Sequence, residues 1–221
     1  MQKPRKEVSI KNSTRYRAGL APEVREIRIA SNIMKKIFTF LAALGLAGIM
    51  MTILTPGAGA QFSDTHHLLN AIADNEIADA RGRLFDGANP NARRGGDTAL
   101  IMAVREKYYE MMRLLLEHGA YPDSKSLPDQ TTAVMIASSN GDEMALALLL
   151  EFKADVNLAD KQGRTPLMKA AAARKSRVIR TLIKNGANVF ATDYTGRDAL
   201  QYAQEARARS VIKILEEAGV S

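Results

Sequence analysis

Few residues of this chain have the type and spacing to do chemistry. His66 and His67 are the most suggestive pair, because imidazole serves both as a metal ligand and as a general base. Adjacent side chains on a helix point about 100° apart, however, and do not chelate as a pair at i and i+4 would. His118 precedes Gly119 at what reads as a helix C-terminus, where the helix dipole favours its protonated form and a structural role. Cysteine is absent, so disulfides, thiolate metal sites and a thiol nucleophile are excluded. The glycines form neither a Walker pattern nor a dinucleotide fingerprint, and Gly95-Gly96 reads as a flexible hairpin tip. No nucleophile, base and orienting group lie together. The sequence therefore predicts no enzyme activity, no metal, no cofactor and no small-molecule substrate.

Charge narrows the field further. The formal charge of +7 suggests a nucleic-acid ligand until its position is considered. Residues 1–60 hold ten Lys and Arg against three Asp and Glu, whereas the remaining 161 residues hold 21 of each sign. The body is formally neutral, and no general field draws it to phosphate backbones. One basic run stands out within it: Lys169, Arg174, Lys175, Arg177, Arg180 and Lys184. Glu205, Glu216 and Glu217 are the expected partners of that run, which reads as a solvated, partly neutralised surface. Methionines 102, 111, 112, 135, 144 and 168 read mostly as packing residues.

The basic surplus belongs to a segment that reads as targeting. Lys35 and Lys36 follow Met34 and precede Ile37–Leu54, a stretch without a charge; Pro56-Gly57 and Ala58-Gly59-Ala60 come next. A basic start, an apolar run, a helix breaker and a small-x-small site make the secretory signal pattern, with cleavage between Ala60 and Gln61. An uncleaved anchor is the alternative, since 18 apolar-rich residues lie at the lower edge of what spans a bilayer. Residues 1–33 then read as an over-extended reading frame or a basic cytoplasmic tail.

The body is periodic. Thr98-Ala99-Leu100, Thr132-Ala133-Val134, Thr165-Pro166-Leu167 and Asp198-Ala199-Leu200 recur at intervals of 34, 33 and 33 residues. Gly119-Ala120, Lys153-Ala154, Gly186-Ala187 and Gly219-Val220 keep the same phase. Each unit has a physical reading. The Thr and Asp are helix N-caps, and Pro166 suits the first helical turn. A second helix carries apolar columns: Met111, Ala145, Val178 and Val211; Met112, Leu146, Ile179 and Ile212; Leu115, Leu149, Leu182 and Leu215. Gly119 and Gly186 end that helix. Asp160-Lys161-Gln162-Gly163 and Asp193-Tyr194-Thr195-Gly196 are turns in which Asp bonds its own backbone and Gly takes positive φ.

Helix, helix and turn at this period resemble the ankyrin repeat, most closely at Gly163-Arg164-Thr165-Pro166-Leu167-Met168-Lys169-Ala170-Ala171 and Leu114-Leu115-Leu116-Glu117-His118-Gly119-Ala120. The fold expected is an all-α solenoid of stacked helix-turn-helix units with hairpin-like loops. Its expected divisions are a tail (1–33), a signal peptide (34–60), a degenerate N-terminal capping repeat (61–91), three repeats (92–123, 124–157, 158–190) and a C-terminal capping repeat (191–221). The family's histidine after Thr-Pro is replaced by Ile101, Met135, Met168 and Gln201, which weakens an intra-loop hydrogen bond. Arg81-Gly82-Arg83 marks the first unit as a cap, and Glu216 takes the place of Leu116, Leu150 and Ile183 on the last.

The resemblance implies a non-enzymatic scaffold that binds a protein partner through turn tips and first-helix faces. The matching positions are Arg94, Asp97, Arg105, Glu106, Asp129, Thr131, Asn140, Lys161, Gln162, Arg164, Tyr194, Thr195, Arg197 and Glu205. With the signal it implies a periplasmic protein. The alternatives are an accessory to a periplasmic oxidative-stress enzyme such as catalase, an immunity protein, or an ankyrin adaptor anchored in the inner membrane. Intact-mass analysis of the native protein should give a mature N-terminus at Gln61; a membrane-bound species retaining Lys35 and Lys36 would establish the anchor instead.

Overall fold

The computed structural model describes residues 58–219. The tail, the apolar run and Lys35-Lys36 lie outside the described residues, as do Val220 and Ser221. Ten helices form five antiparallel pairs: α1 (Ala58–Ala73) with α2 (Ile77–Phe85), α3 (Ala99–Glu106) with α4 (Tyr109–Glu117), α5 (Ala133–Asn140) with α6 (Glu143–Glu151), α7 (Pro166–Ala172) with α8 (Ser176–Lys184), and α9 (Ala199–Glu205) with α10 (Arg209–Glu217). A two-stranded ribbon, β1 (Arg93–Arg94) and β2 (Asp97–Thr98), precedes α3 with Arg93 opposite Thr98. Ala58, Ala60 and Gln61 all fall on the backbone of α1. Among the described residues no helix is long and apolar enough to cross a membrane.

The caps start each first helix. Thr98, Thr132 and Thr165 accept from the backbone N–H three residues on at 3.3, 3.3 and 3.4 Å, and Asp198 from Gln201 at 2.8 Å. The residues that replace the family's histidine behave differently from expectation in three units of four. Met135 and Met168 place their sulfurs 3.5 and 3.4 Å from the cap's own N–H, and Gln201 accepts from that of Asp198 at 3.0 Å. Each closes a reciprocal box. The longer interval also has a place. The extra residue falls in the loop between Gly119 and Thr132, which contains a cis Leu127-Pro128 bond.

Packing divides the helices into two layers. The first helices carry alanine toward their neighbours, with Ala99, Ala103, Ala133, Ala137, Ala170, Ala171, Ala199 and Ala203 all buried. The second helices carry the larger columns: Met111, Met112, Leu115, Leu146, Leu149, Val178, Ile179, Leu182, Val211 and Leu215 are each at most 1% exposed. Small side chains let backbones approach, and α5, α7 and α9 lie closer to one another than α6, α8 and α10 do. The stack therefore curves toward its first helices. The methionine reading holds for positions 111, 112, 135 and 168 but not for Met144, which is 66% exposed, and Met102 is only partly buried.

A second tie between units runs through the loops. Asn91 accepts from the Tyr121 N–H at 2.8 Å and donates to the Gly119 carbonyl; Asp123 accepts from Asp155; Asn157 accepts from Asn188 at 2.7 Å and donates to the Gly186 carbonyl. Each amide or carboxylate thus satisfies backbone groups of the next unit. Leu182→Ala should cost about 2 to 5 kcal/mol in urea unfolding because it opens a cavity between neighbouring units. Thr165→Ala, which removes only a cap, should cost about 1 kcal/mol.

Candidate functional site

The concave side is built from the hairpin tips and the free faces of the first helices. Successive tips are joined by backbone hydrogen bonds: Leu127 N–H to the Gly96 carbonyl (3.1 Å), Lys161 N–H to that of Asp129 (3.0 Å), and Tyr194 N–H to that of Gln162 (3.1 Å). Two glycines are required for this contact. A Cβ at Gly96 would lie 2.7 Å from the Leu127 carbonyl oxygen, and one at Gly163 would lie 2.7 Å from the Tyr194 ring; both residues have positive φ. Gly95-Gly96 is therefore a fitted two-residue turn, and its second glycine is held against the next unit.

Beneath the last two tips lies a feature that the periodicity did not reveal. Asp160 and Asp193 are buried carboxylates, and each gathers its whole tip. Asp160 accepts from the backbone N–H of Gln162 and Arg164, from the Arg164 guanidinium and from Lys169 Nζ at 2.7 Å. Asp193 accepts from Thr195, from the Arg197 backbone and guanidinium, and from the Tyr202 hydroxyl at 2.7 Å. The Arg197 guanidinium lies 4.6 Å from the centre of the Tyr202 ring, an additional cation–π contact. Burial alone pushes the Asp193 carboxyl up, but donation from Thr195, Tyr202 and Arg197 outweighs it and holds the group well below the ordinary carboxylate range. Asp160 is held low by the same balance, with Lys169 and Arg164 as the donors. Burial and the Asp193 carboxylate push the Tyr202 hydroxyl up to about 12. The signal was available in the sequence: Asp, Arg four residues on, and a polar side chain at nine recur from 160 to 193.

These clusters change what the expected contact residues are. Arg164 and Arg197 are clamped to their own tips. Arg105 is paired with Asp97 at 2.8 Å, Asp97 also accepts from Ser126, Arg94 donates to Asn70, and Glu205 lies 3.4 Å from Arg197. Glu106, Asp129, Asn140, Lys161, Gln162, Tyr194 and Thr195 are exposed, Tyr194 at 79%, and Thr131 is half-buried. The basic run finds different partners from those expected. Lys169 pairs with Asp160 and Arg177 lies 3.5 Å from Glu143, both acids preceding the run, in place of Glu205, Glu216 and Glu217.

Two shallow hollows cross the middle of this face. One of about 320 Å³ is lined by Ser139, Arg164, Met168, Lys169, Ala172, Ala173 and Tyr202. The other, about 350 Å³, is lined by Arg105, Asp129, Thr131, Ile136, Asn140 and their neighbours, and shares Ser139 and Lys169 with the first. At equivalent places on successive first helices stand Arg105, Ser139, Ala172 and Glu205. Small residues in the middle of that row leave the room that its charged ends take up. His66 and His67 are exposed, with ring centres 6.2 Å apart, and no cluster of three metal-ligating side chains occurs among the described residues.

The family model for ankyrin repeats (3 copies) matches residues 134–221, and the model for a single ankyrin repeat matches residues 95–127. This chain belongs to the ankyrin-repeat family. It is 34% identical over 121 residues to an ankyrin repeat protein of fowlpox virus (strain NVSL), covering 54% of this chain and 29% of that one. It is 36% identical over 77 residues to human ankyrin repeat and SOCS box protein 6, covering 34% and 18% of the two chains. It is 34% identical over 102 residues to human transient receptor potential cation channel subfamily A member 1, covering 46% and 9%. The matched stretch spans less than a third of any of these relatives. What is common is the array, and ankyrin arrays generally mediate protein–protein interaction.

The buried carboxylates make the ankyrin tips sensitive to acid. A carboxyl whose pKa is lower folded than unfolded contributes stability that is present above the unfolded value, near 4, and is lost as pH falls toward the folded value. Asp193→Ala should therefore cost about 2 to 3 kcal/mol at neutral pH. It should also flatten the fall in stability below about pH 4, as read by urea titrations across pH.

Proposed function

We propose that the chain is a non-catalytic scaffold of the periplasm that holds a protein partner on its concave side. The observation that carries this reading is the row of exposed side chains on tips that are themselves rigidly bonded. Lys161, Gln162, Tyr194 and Thr195 face solvent while the backbone beneath them is fixed by inter-tip bonds and buried carboxylates. A surface ordered in advance loses little conformational entropy on binding. An exposed tyrosine on a rigid turn has the character of an interface anchor, since it brings large contact area with few rotatable bonds. The export part of the proposal is supported by the charge asymmetry and by Ala58-Gly59-Ala60.

The test is affinity purification from a periplasmic extract followed by calorimetry with the captured partner. Tyr194→Ala and Lys161→Glu should each weaken binding by more than about 1 kcal/mol. Glu117 and Lys184, exposed near the ends of α4 and α8 on the other layer, serve as controls whose substitution should change binding little. Glu151 is not a suitable control, because it forms a bidentate pair with Arg113. Equal losses from both sets would exclude the concave side as the binding face.

A further inference from the structure

The edge opposite the hairpin tips, where each first helix turns into its second, is a surface that this function does not use. Its five turns follow one another along the stack, and direct contacts join the second to the fifth. The Tyr109 hydroxyl donates to Asp142 at 3.1 Å, the Lys175 side chain covers Gly141 so closely that a Cβ there would lie 2.7 Å from it, Arg177 lies 3.5 Å from Glu143, and the Ser176 and Ser210 hydroxyls are 2.8 Å apart.

Charge along that row is segregated. From the residue after each first helix to the second residue of the next helix, the first three turns carry Asp74, Glu76, Glu110, Asp142 and Glu143 against a single cation, Lys107. The last two carry Arg174, Lys175, Arg177, Arg207 and Arg209 and no carboxylate. All are exposed or half-exposed. Packed helices are about 8 to 10 Å apart, so the ends of the row are several screening lengths from each other, at about 8 Å each in physiological salt. Apart from Arg177 and Glu143 at the boundary, the two halves do not neutralise one another within the molecule.

We infer that this edge is a self-complementary surface on which a second copy of the chain docks antiparallel, acidic half on basic half, about a two-fold axis near the boundary of the third and fourth units. A polyanion such as a nucleic acid or an anionic membrane would gain from the basic half and lose to the acidic one. A second copy is matched by both halves at once, and a two-fold contact uses the same patch twice.

The probe is the chain itself, expressed full length and purified in the form in which it accumulates, studied by sedimentation velocity. The wild type should form dimers whose dissociation constant rises more than about tenfold between about 50 and about 500 mM salt. Arg174→Glu/Arg207→Glu/Arg209→Glu makes the whole edge acidic, and Glu76→Lys/Glu110→Lys/Glu143→Lys makes it basic. Each variant should be monomeric with an unchanged circular dichroism spectrum, and an equal mixture of the two should restore a dimer. A wild type monomeric at all salt concentrations would overturn the proposal, as would dimers that survive either reversal, species larger than a dimer, or a mixture that stays monomeric. None of these variants touches the concave side, so loss of self-association with partner binding intact separates this inference from the preceding reading.

Discussion

None of the five described helix pairs encloses its own apolar surface. Leu115, Leu149, Leu182 and Leu215 are each fully buried, and they are so because a neighbouring pair covers them. The rest of the architecture follows from that dependence. The array needs alanine on one layer and larger side chains on the other; the difference in side-chain size sets the difference in spacing, and the difference in spacing curves the stack. The concave side is thus a geometric consequence of where the alanines lie. The same dependence accounts for the loop ties through Asn91, Asp123 and Asn157. An interface between units stabilised only by apolar contact would resist sliding weakly, whereas a directional bond to the next unit's backbone fixes the register.

Much of this was legible because a repeat states its pattern several times. The caps, the three apolar columns and the turn glycines at 163 and 196 could be read from period alone, since each arises from local chemistry or from a face that must be covered. What escaped the reading was where polar side chains end. Arg164 and Arg197 occupy exposed turn positions by phase, but Asp160 and Asp193, four residues earlier, draw them inward. Periodicity places a Cα; it does not say whether a long side chain turns back to satisfy a buried carboxylate. The pairing of the basic run failed for the same reason. Lys169 and Arg177 reach backward along the stack to Asp160 and Glu143, a choice among neighbours on either side that sequence spacing alone does not make.

The methionines are instructive in a different way. Met135 and Met168 fill the core and also accept from the cap backbone, substituting a weak sulfur acceptor where a stronger one is familiar. Sulfur is a poor acceptor but a good packing atom. That exchange suits units in the middle of the stack, where both faces are covered. In the last unit Gln201 is exposed and the oxygen acceptor returns. Burial thus decides which acceptor is used: where the position is dry, an apolar side chain with a serviceable sulfur costs least to bury, and where it is wet, an amide does better.

Because one chain holds four closely matched units, positions set by folding can be told from positions free to vary. Positions that must solve the same local problem keep their chemistry: Thr98, Thr132, Thr165 and Asp198 all cap, and Leu115, Leu149, Leu182 and Leu215 all fill one column. The free face of the first helix does not, running Arg105, Ser139, Ala172 and Glu205 in one row and Glu106, Asn140, Ala173 and Ala206 in the next. Folding places similar demands on each of these units, so a difference between them that is absent from the core is not explained by folding. The turn edge varies too, but in blocks of sign, acidic and then basic. Irregular variation in size and polarity suits a face shaped to one irregular partner; variation ordered by sign suits a contact governed by electrostatics. The two surfaces therefore vary in different ways, one in size and polarity and the other in sign.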